Sequence, residues 1–378
     1  MPELVAIDVA QGPLLPAILE RIWSRGDAAC VVDPRLHGPA RAAQLHALSP
    51  TRLVDGDGEG ACEGGRGVEP GDALVVTTSG STASPRAVVL THAAVAASAR
   101  ATSSRLGVDP ATDRWLCCLP CSHVGGLCVV ARALLTSTPL EVHPRFDPAE
   151  VAGAAARGAS LVSLVATALG RLEQPGAFRT IVLGGAAVPA KVPPNVVATW
   201  GLTETGSGVV YDGAPLEGVT VATLEDELFV RGPMLARAYR DGTPIDALGP
   251  DGTRGWLATG DAGRVVDGTV EVFGRLADVI NTGGEKVWPA DVERVLATHR
   301  SVDDVAVWRR DDAEWGERVV AWVVPSGEPP TLDELRAHVA AALPPWAAPK
   351  ELVVVASLPR TPSGKVTRRA LDVSGHPA

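Results

Sequence analysis

No uninterrupted apolar run in this sequence reaches the roughly 20 residues that a membrane-spanning helix requires, although 46% of its 378 residues are hydrophobic. Met1 to Gln11 also lack the basic segment followed by an apolar one that marks a secretory signal. The expectation is a cytoplasmic protein with no membrane partner. An excess of positive charge is missing too: 34 Lys and Arg stand against 44 Asp and Glu, a formal charge of -10. That balance favours solubility and gives no electrostatic footprint for nucleic acid. Six cysteines without a secretory signal argue for reduced thiols. Cys118, Cys121, His123 and Cys128 have zinc-like spacing, but they sit in "WLCCLPCSHVGGLCVV", an apolar run where cysteine serves as a small buried hydrophobe. No internal repeat is present.

What is present reads as two units with a cleft between them, since the chain exceeds the usual size of one core. From Ala29 to Gly201, the runs "ACVVD", "ALVVTT", "WLCCLP", "LVSLVA", "TIVLGG" and "NVVATW" predict buried strands alternating with Ala-rich helices, an α/β pattern. Thr91 is placed to cap a helix over 92–105, which Gly107 ends. Between Gly218 and Gly274, segments such as "ELFVRG" and "TVEVFGR" predict a β-rich subdomain. The Gly-rich stretch 55–71 reads as a surface loop. Beyond Arg275 a small α+β unit begins: a helix from Pro289 to Leu296, strands at "DVAVW" and "RVVAWVV", and a helix opened by the capping box of Thr331 and Glu334. The expected architecture is therefore a large N-terminal α/β domain (1–276) with a β-rich subdomain, plus a small mobile α+β C-terminal domain (277–378).

The segment "TTSGSTASPRAVVLTH", Thr77 to His92, places hydroxyls and glycine after a strand and before a helix, where backbone N–H groups and the helix N-terminus favour phosphate. It lacks the Gly-Lys-Ser/Thr ending of a Walker loop, so the ordinary P-loop reading fails. Taken alone it is equally a flexible turn.

This loop resembles the phosphate-binding loop of the adenylate-forming superfamily: acyl-CoA synthetases, peptide-synthetase adenylation domains and luciferases. Four further segments resemble that family's motifs in the same order: "WGLTETG" (200–206), "LATGDAG" (257–263), "GRLADVINTGGEKVWPADVE" (274–293) and "LPRTPSGKVTRRAL" (358–371). The resemblance implies ATP, Mg²⁺ and coenzyme A as cofactors and a small carboxylic acid as substrate, and leaves a homodimer open. Thr78, Ser79, Gly80, Ser81, Thr82 and Arg86 would wrap the phosphates. Trp200 and Gly201 would wall the adenine, with Gly184, Gly185 and Ala186 opposite. Thr203 would hydrogen-bond the α-phosphate, Glu204 would hold Mg²⁺, and Asp261 and Arg275 would bind the ribose. Lys365 would bridge carboxylate and phosphate oxygens during adenylation. The small domain would then rotate about a hinge near Ala277, bringing Gly283 and Gly284 to the pantetheine of coenzyme A.

The family pattern Thr-Gly-x-Pro-Lys-Gly is replaced here by Thr82, Ala83, Ser84, Pro85, Arg86 and Ala87. Arginine keeps the charge, but alanine at 83 and 87 would resist a positive φ and imply a stiffer or reshaped loop. Ala277 stands where Asp or Lys is usual. The short format and the segments "LPCSHVGGL", "SLVATAL" and "VYDGAPLEGV" resemble the o-succinylbenzoate–CoA ligase branch of the family, in menaquinone biosynthesis, and imply a trimmed N-terminal region. On that reading His123 lies near the acyl pocket, and Ser163 and Thr167, spaced as one helical turn, line it with Gly125 and Gly126. His123 also reads as a core histidine, and Ser163 and Thr167 as ordinary packing. A ligase for another aryl or acyl acid, an enzyme loading a carrier protein, and a non-catalytic nucleotide-binding relative are the alternatives. The anchor for a second carboxylate is not evident in the sequence.

Overall fold

The computed structural model describes residues 1–78, 85–185, 188–189, 191–360 and 366–371. Short β-branched runs form the strands of two seven-stranded sheets, and Ala-rich segments form the helices packed on them. In the first sheet the strands Leu4–Ile7, Ala28–Val31, Arg52–Asp55 and Asp72–Thr78 make parallel contacts. Arg86–Thr91 and Ala238–Tyr239 add antiparallel strands along one edge. In the second sheet, Trp115–Cys117, Leu140–Val142, Leu161–Leu164, Thr180–Leu183 and Val196–Leu202 run parallel. Ser207–Tyr211 returns antiparallel to Val196–Leu202. A core spanning both sheets buries Trp115, Leu74, Leu90, Val129, Val209 and Tyr211.

The six predicted strands of this region are all present, several of them shorter than the apolar runs that signalled them. Thr91 caps the helix His92–Leu106 by accepting from Ala94 N at 3.1 Å, and Gly107 ends it at φ +57°. The 55–71 stretch differs from the expected loop: Gly58–Ala61 pairs antiparallel with Arg52–Asp55. Two guanidiniums, Arg25 and Arg52, converge on Glu59 there, so charge pairing stands in for the missing apolar side chains.

Thr220–Leu224, Glu227–Arg231, Leu257–Val266 and Thr269–Arg275 form the expected β subdomain as one antiparallel sheet. The last sheet draws only on residues from Ile280 onward, with Val302–Asp312 and Gly316–Pro325 as its long hairpin. Its core of Ile280, Val292, Leu296, Val307, Ala321, Leu335 and Val339 is separate from the cores of the large sheets. The helix Pro289–Leu296 and the capping box of Thr331 and Glu334 are as the sequence predicts.

Candidate active site

The strand Asp72–Thr78 leads into the proposed phosphate loop, and the chain returns as Arg86–Thr91 with Arg86 opposite Thr78. Ser79, Gly80, Ser81 and Thr82 of the loop, together with Ala83 and Ser84, lie outside the described residues. Two expectations change here. The helix after the loop starts at His92, beyond a six-residue strand, and Thr91 pairs beside Asp72 at the far end. A helix field fades within its first turn, so its N-terminus contributes nothing at the loop. Ala87 lies in that extended strand opposite Thr77, so it needs no positive φ, and its methyl is buried.

On the second sheet, Trp200 and Gly201 end the strand Val196–Leu202, and Thr203 and Glu204 open a single 3-10 turn closed by Gly206 at φ +68°. Thr205, fully buried, locks the turn by accepting from Leu202 N at 2.8 Å. Glycine is required at 201, because a Cβ there would meet Ser207 O at 2.2 Å. Gly184 likewise has no room for a Cβ beside Thr199, and Gly185 sits at φ +84°. Ala186 lies outside the described residues. Close packing, against the Thr199 side chain at 184 and against backbone at 201, thus accounts for the small residues there.

Asp261 and Arg275 face each other on adjacent antiparallel strands. The Asp261 carboxylate is 7% exposed; its Oδ1 pairs with Arg275 Nε at 2.9 Å and its Oδ2 accepts from the Trp200 indole at 2.8 Å. The residues assigned to adenine and to ribose are therefore in direct contact across two sheets. Arg275 also donates to Thr259 O at 2.9 Å, which fixes the guanidinium.

Glu204 Oε1 accepts from the Tyr239 hydroxyl at 2.9 Å, while its Oε2 accepts from no described residue. Among the described residues no cluster of three or more His, Cys, Asp or Glu could hold a metal. Mg²⁺ is usually bound by one or two carboxylates with substrate phosphates and water, so a single carboxylate with one oxygen unengaged among the described residues fits this ion. Cys118 and Cys121 point into different cores, as expected for packing thiols rather than zinc ligands.

His123 stands at the start of the helix Val124–Leu135 and meets two residues the sequence reading passed over. Arg35 grips buried Asp33 with Nε at 2.8 Å and Nη2 at 2.6 Å, and the same Nη2 lies 3.0 Å from His123 Nε2. Asp33 Oδ2 is 3.6 Å from that nitrogen. A guanidinium only donates, so Nε2 is the acceptor in the shorter contact. Burial raises the Asp33 pKa, but hydrogen bonds and charge from Arg35 outweigh it and bring it to about 2.

Ser163 and Thr167 are not one helical turn apart: Ser163 lies in the strand Leu161–Leu164 and Thr167 in the short helix Ala166–Leu169. The run "LVSL" is held between two parallel strands, so its backbone is extended and helical spacing does not apply. Gly125 is exposed, whereas Gly126 packs against the backbone of Leu119 and Pro120. Seven residues beyond Gly125, on the same helix face, Arg132 is 3% exposed. It donates to Ser207 Oγ at 3.2 Å, lies 5.1 Å from the Trp115 ring centre, and leaves Nε and Nη1 without partners among the described residues. Its signal in the sequence was one cation inside the apolar run "LCVVARALL".

On the small unit, Gly283 (φ +63°) leaves no room for a Cβ beside the Trp315 ring, and Gly284 adopts φ +86°. Lys365 lies outside the described residues. On either side of it, Arg360 pairs with Val366, and Arg368 binds Glu293 at 2.8 Å and Asp278 at 3.2 Å. Ala277 belongs to the turn Leu276–Asp278, and its carbonyl accepts from Arg309 at 3.1 Å.

The sequence matches the AMP-binding enzyme family over residues 39–240 and the AMP-binding enzyme C-terminal domain over residues 291–365. It is 38% identical over 384 residues to a probable 2-succinylbenzoate–CoA ligase of Mycobacterium tuberculosis, covering 95% of this chain and 94% of that one. A 2-succinylbenzoate–CoA ligase of Bacillus cereus is 32% identical over 335 residues, covering 79% and 69%. The structure of o-succinylbenzoate coenzyme A synthetase from Bacillus subtilis in complex with ATP and magnesium ion superimposes with a TM-score of 0.84 at 26% identity, covering 98% of this chain and 89% of that one. With the ordered motifs and a shared α/β fold, these matches establish that the chain belongs to the AMP-binding enzyme family.

Proposed function

We propose that this protein is an ATP-dependent, AMP-forming carboxylate–CoA ligase whose acid is 2-succinylbenzoate or a close aryl dicarboxylate. One observation carries the choice of acid. Arg132 is a buried guanidinium with two unsatisfied donors, on the helix that follows His123 and beside Ser207, which follows the Thr203–Thr205 turn. A buried cation of this kind is costly unless a carboxylate meets it, and a guanidinium offers that carboxylate two parallel donors. The relatives' names supply the same acid independently.

In the first half-reaction the reacting carboxylate attacks the α-phosphorus of ATP, and the bond to pyrophosphate breaks. Trp200, Asp261 and Arg275 hold the nucleoside, Thr203 and Arg86 meet phosphate oxygens, and Lys365 bridges the two reactants; catalysis is positioning plus electrostatics. Mg²⁺, held by Glu204 and phosphate oxygens, would neutralise charge on the phosphates. In the second half-reaction the coenzyme A thiol attacks the acyl carbonyl and AMP leaves, with Gly283 and Gly284 beside the pantetheine. Residues 1–276 form the nucleotide-binding unit on this reading and 277–378 the lid, which agrees with a last sheet and core drawn only from residues after 276.

Pyrophosphate release measured with a panel of acids, including 2-succinylbenzoate and benzoate, tests the reading. Release is expected with the dicarboxylate and to a far smaller extent with benzoate. Release with no acid, despite ATP binding, would instead mark a nucleotide-binding relative. Thioester formation with free coenzyme A excludes an obligatory carrier protein.

A further inference from the structure

Tyr239 belongs to none of the five motifs, yet it touches the residues assigned to the phosphates and to the metal. It lies on the two-residue strand Ala238–Tyr239, opposite Val88 of Arg86–Thr91. This strand is held rigidly. Arg240 N donates to Ala87 O at 2.7 Å, and the buried Arg240 guanidinium donates to the carbonyls of Leu48 at 3.0 Å, Gly67 at 2.8 Å and Arg66. Tyr239 N donates to Thr243 O at 2.9 Å. From that frame the Tyr239 ring carries the Arg86 guanidinium 3.4 Å above its centre, and its hydroxyl reaches Glu204 Oε1 at 2.9 Å. The ion pair of Arg86 with Asp241, at 3.7 Å, joins two exposed side chains and orients the guanidinium weakly.

We propose that Tyr239 is a positioning residue that sets Arg86 by its ring and Glu204 by its hydroxyl, so that phosphate and metal contacts are pre-aligned by one side chain. The inference rests on the ligase reading for the roles of Arg86 and Glu204. It also gives a physical reason for arginine where the family has lysine: a planar guanidinium stacks on an aromatic face, and a compact ammonium is held less specifically. The hydroxyl donates to Glu204 Oε1 at 2.9 Å. With Oε1 engaged by that proton, Glu204 Oε2 is the oxygen that would hold the metal.

Binding of ATP without any acid, measured by calorimetry in chelator and again with Mg²⁺, separates the two arms without turnover. Tyr239→Phe keeps the ring: chelator affinity should stay within about twofold, while the gain in affinity from Mg²⁺ falls by about five- to tenfold. Tyr239→Leu should lose about fivefold in chelator as well. Arg86→Lys should cost several-fold in the parent but little on the Tyr239→Leu background, as coupled residues do. Identical behaviour of the Phe and Leu variants, or an equal cost of Arg86→Lys on both backgrounds, would overturn the proposal. Far-UV circular dichroism and melting confirm that each variant is folded, and the Phe variant stays informative if the Leu variant is not. A parent that binds no ATP would overturn the ligase reading itself, which is a different result from a parent that binds ATP while the variants fail to split.

Discussion

The Trp200 indole donates to Asp261 Oδ2 at 2.8 Å, while Arg275 occupies Oδ1 at 2.9 Å, so the ring that would wall the base and the carboxylate that would bind the sugar under the proposed function form one hydrogen-bonded unit. Trp200→Phe preserves a flat apolar wall but removes the donor, leaving a nearly buried carboxylate oxygen without it. A loss of about 1 kcal/mol in ATP binding is expected, a rise of about fivefold in KM for ATP with kcat little changed. Trp200→Ala should weaken ATP further, because the stacking surface is lost as well. Steady-state kinetics with ATP varied checks both, and an unchanged KM in Trp200→Phe would mean that the indole N–H contributes nothing to nucleotide binding.

Arg132 separates function from stability. Its Nη2 donates to Ser207, but its Nε and Nη1 have no partner among the described residues, so its burial is only partly compensated. Arg132→Met fills a similar volume without the charge and should leave the melting temperature equal or higher, since replacing a poorly compensated buried charge by a packed apolar group is commonly neutral or stabilising. The same variant should raise KM for the dicarboxylic acid by at least about tenfold, the worth of a charge-assisted hydrogen-bonded pair, and leave KM for ATP unchanged. A destabilised variant with an unaltered KM for the acid would make Arg132 structural.

Much of this fold was legible because its signals are local. Val-rich runs marked the strands, Thr91 and Gly107 bracketed a helix, and Thr331 with Glu334 announced another. The ATP motifs were legible in the same way, as short contiguous strings. The contacts that complete the site were not. Arg35 meets His123 across 88 positions, Arg132 meets Ser207 across 75, and Tyr239 meets Glu204 across 35. No local pattern specifies such pairs; only the packing of separate sheets brings them together. The helical spacing read for Ser163 and Thr167 does not hold for a related reason, because a spacing of four has helical meaning only where the backbone is helical.

Asp33 predicts a pH signature. Its carboxyl titrates at about 2 in the folded protein, below the ordinary value of about 3.9. A depressed pKa contributes stability that is fully present above about pH 4 and is lost as pH falls towards 2. The difference in unfolding free energy between the parent and Asp33→Asn should therefore shrink as pH falls from about 4 towards 2. Urea unfolding at a series of pH values measures it. A difference that stays constant down to about pH 2 would mean that Arg35 does not hold the carboxylate in its charged form.

Lys365 is the cation on which the first half-reaction depends under the proposed function, and the described residues that flank its segment are anchored. Arg360 pairs with Val366, Arg368 is clasped by Glu293 and Asp278, and Leu371 is fully buried in the core containing Trp308 and Trp322. Lys365→Ala should slow acid-dependent pyrophosphate release by about 10²-fold or more, the scale for removing one electrostatic contact to a developing charge. Thioester formation from preformed acyl-adenylate should change by no more than about twofold, because that step breaks no bond to pyrophosphate and under the proposed function would use the Gly283 face instead. Arg368→Ala, which frees the anchored side of the same segment, should fall between parent and Lys365→Ala in the first half-reaction only. Equal loss of both half-reactions in Lys365→Ala would place the lysine outside adenylation chemistry, because a general defect in folding or nucleotide binding affects both steps alike.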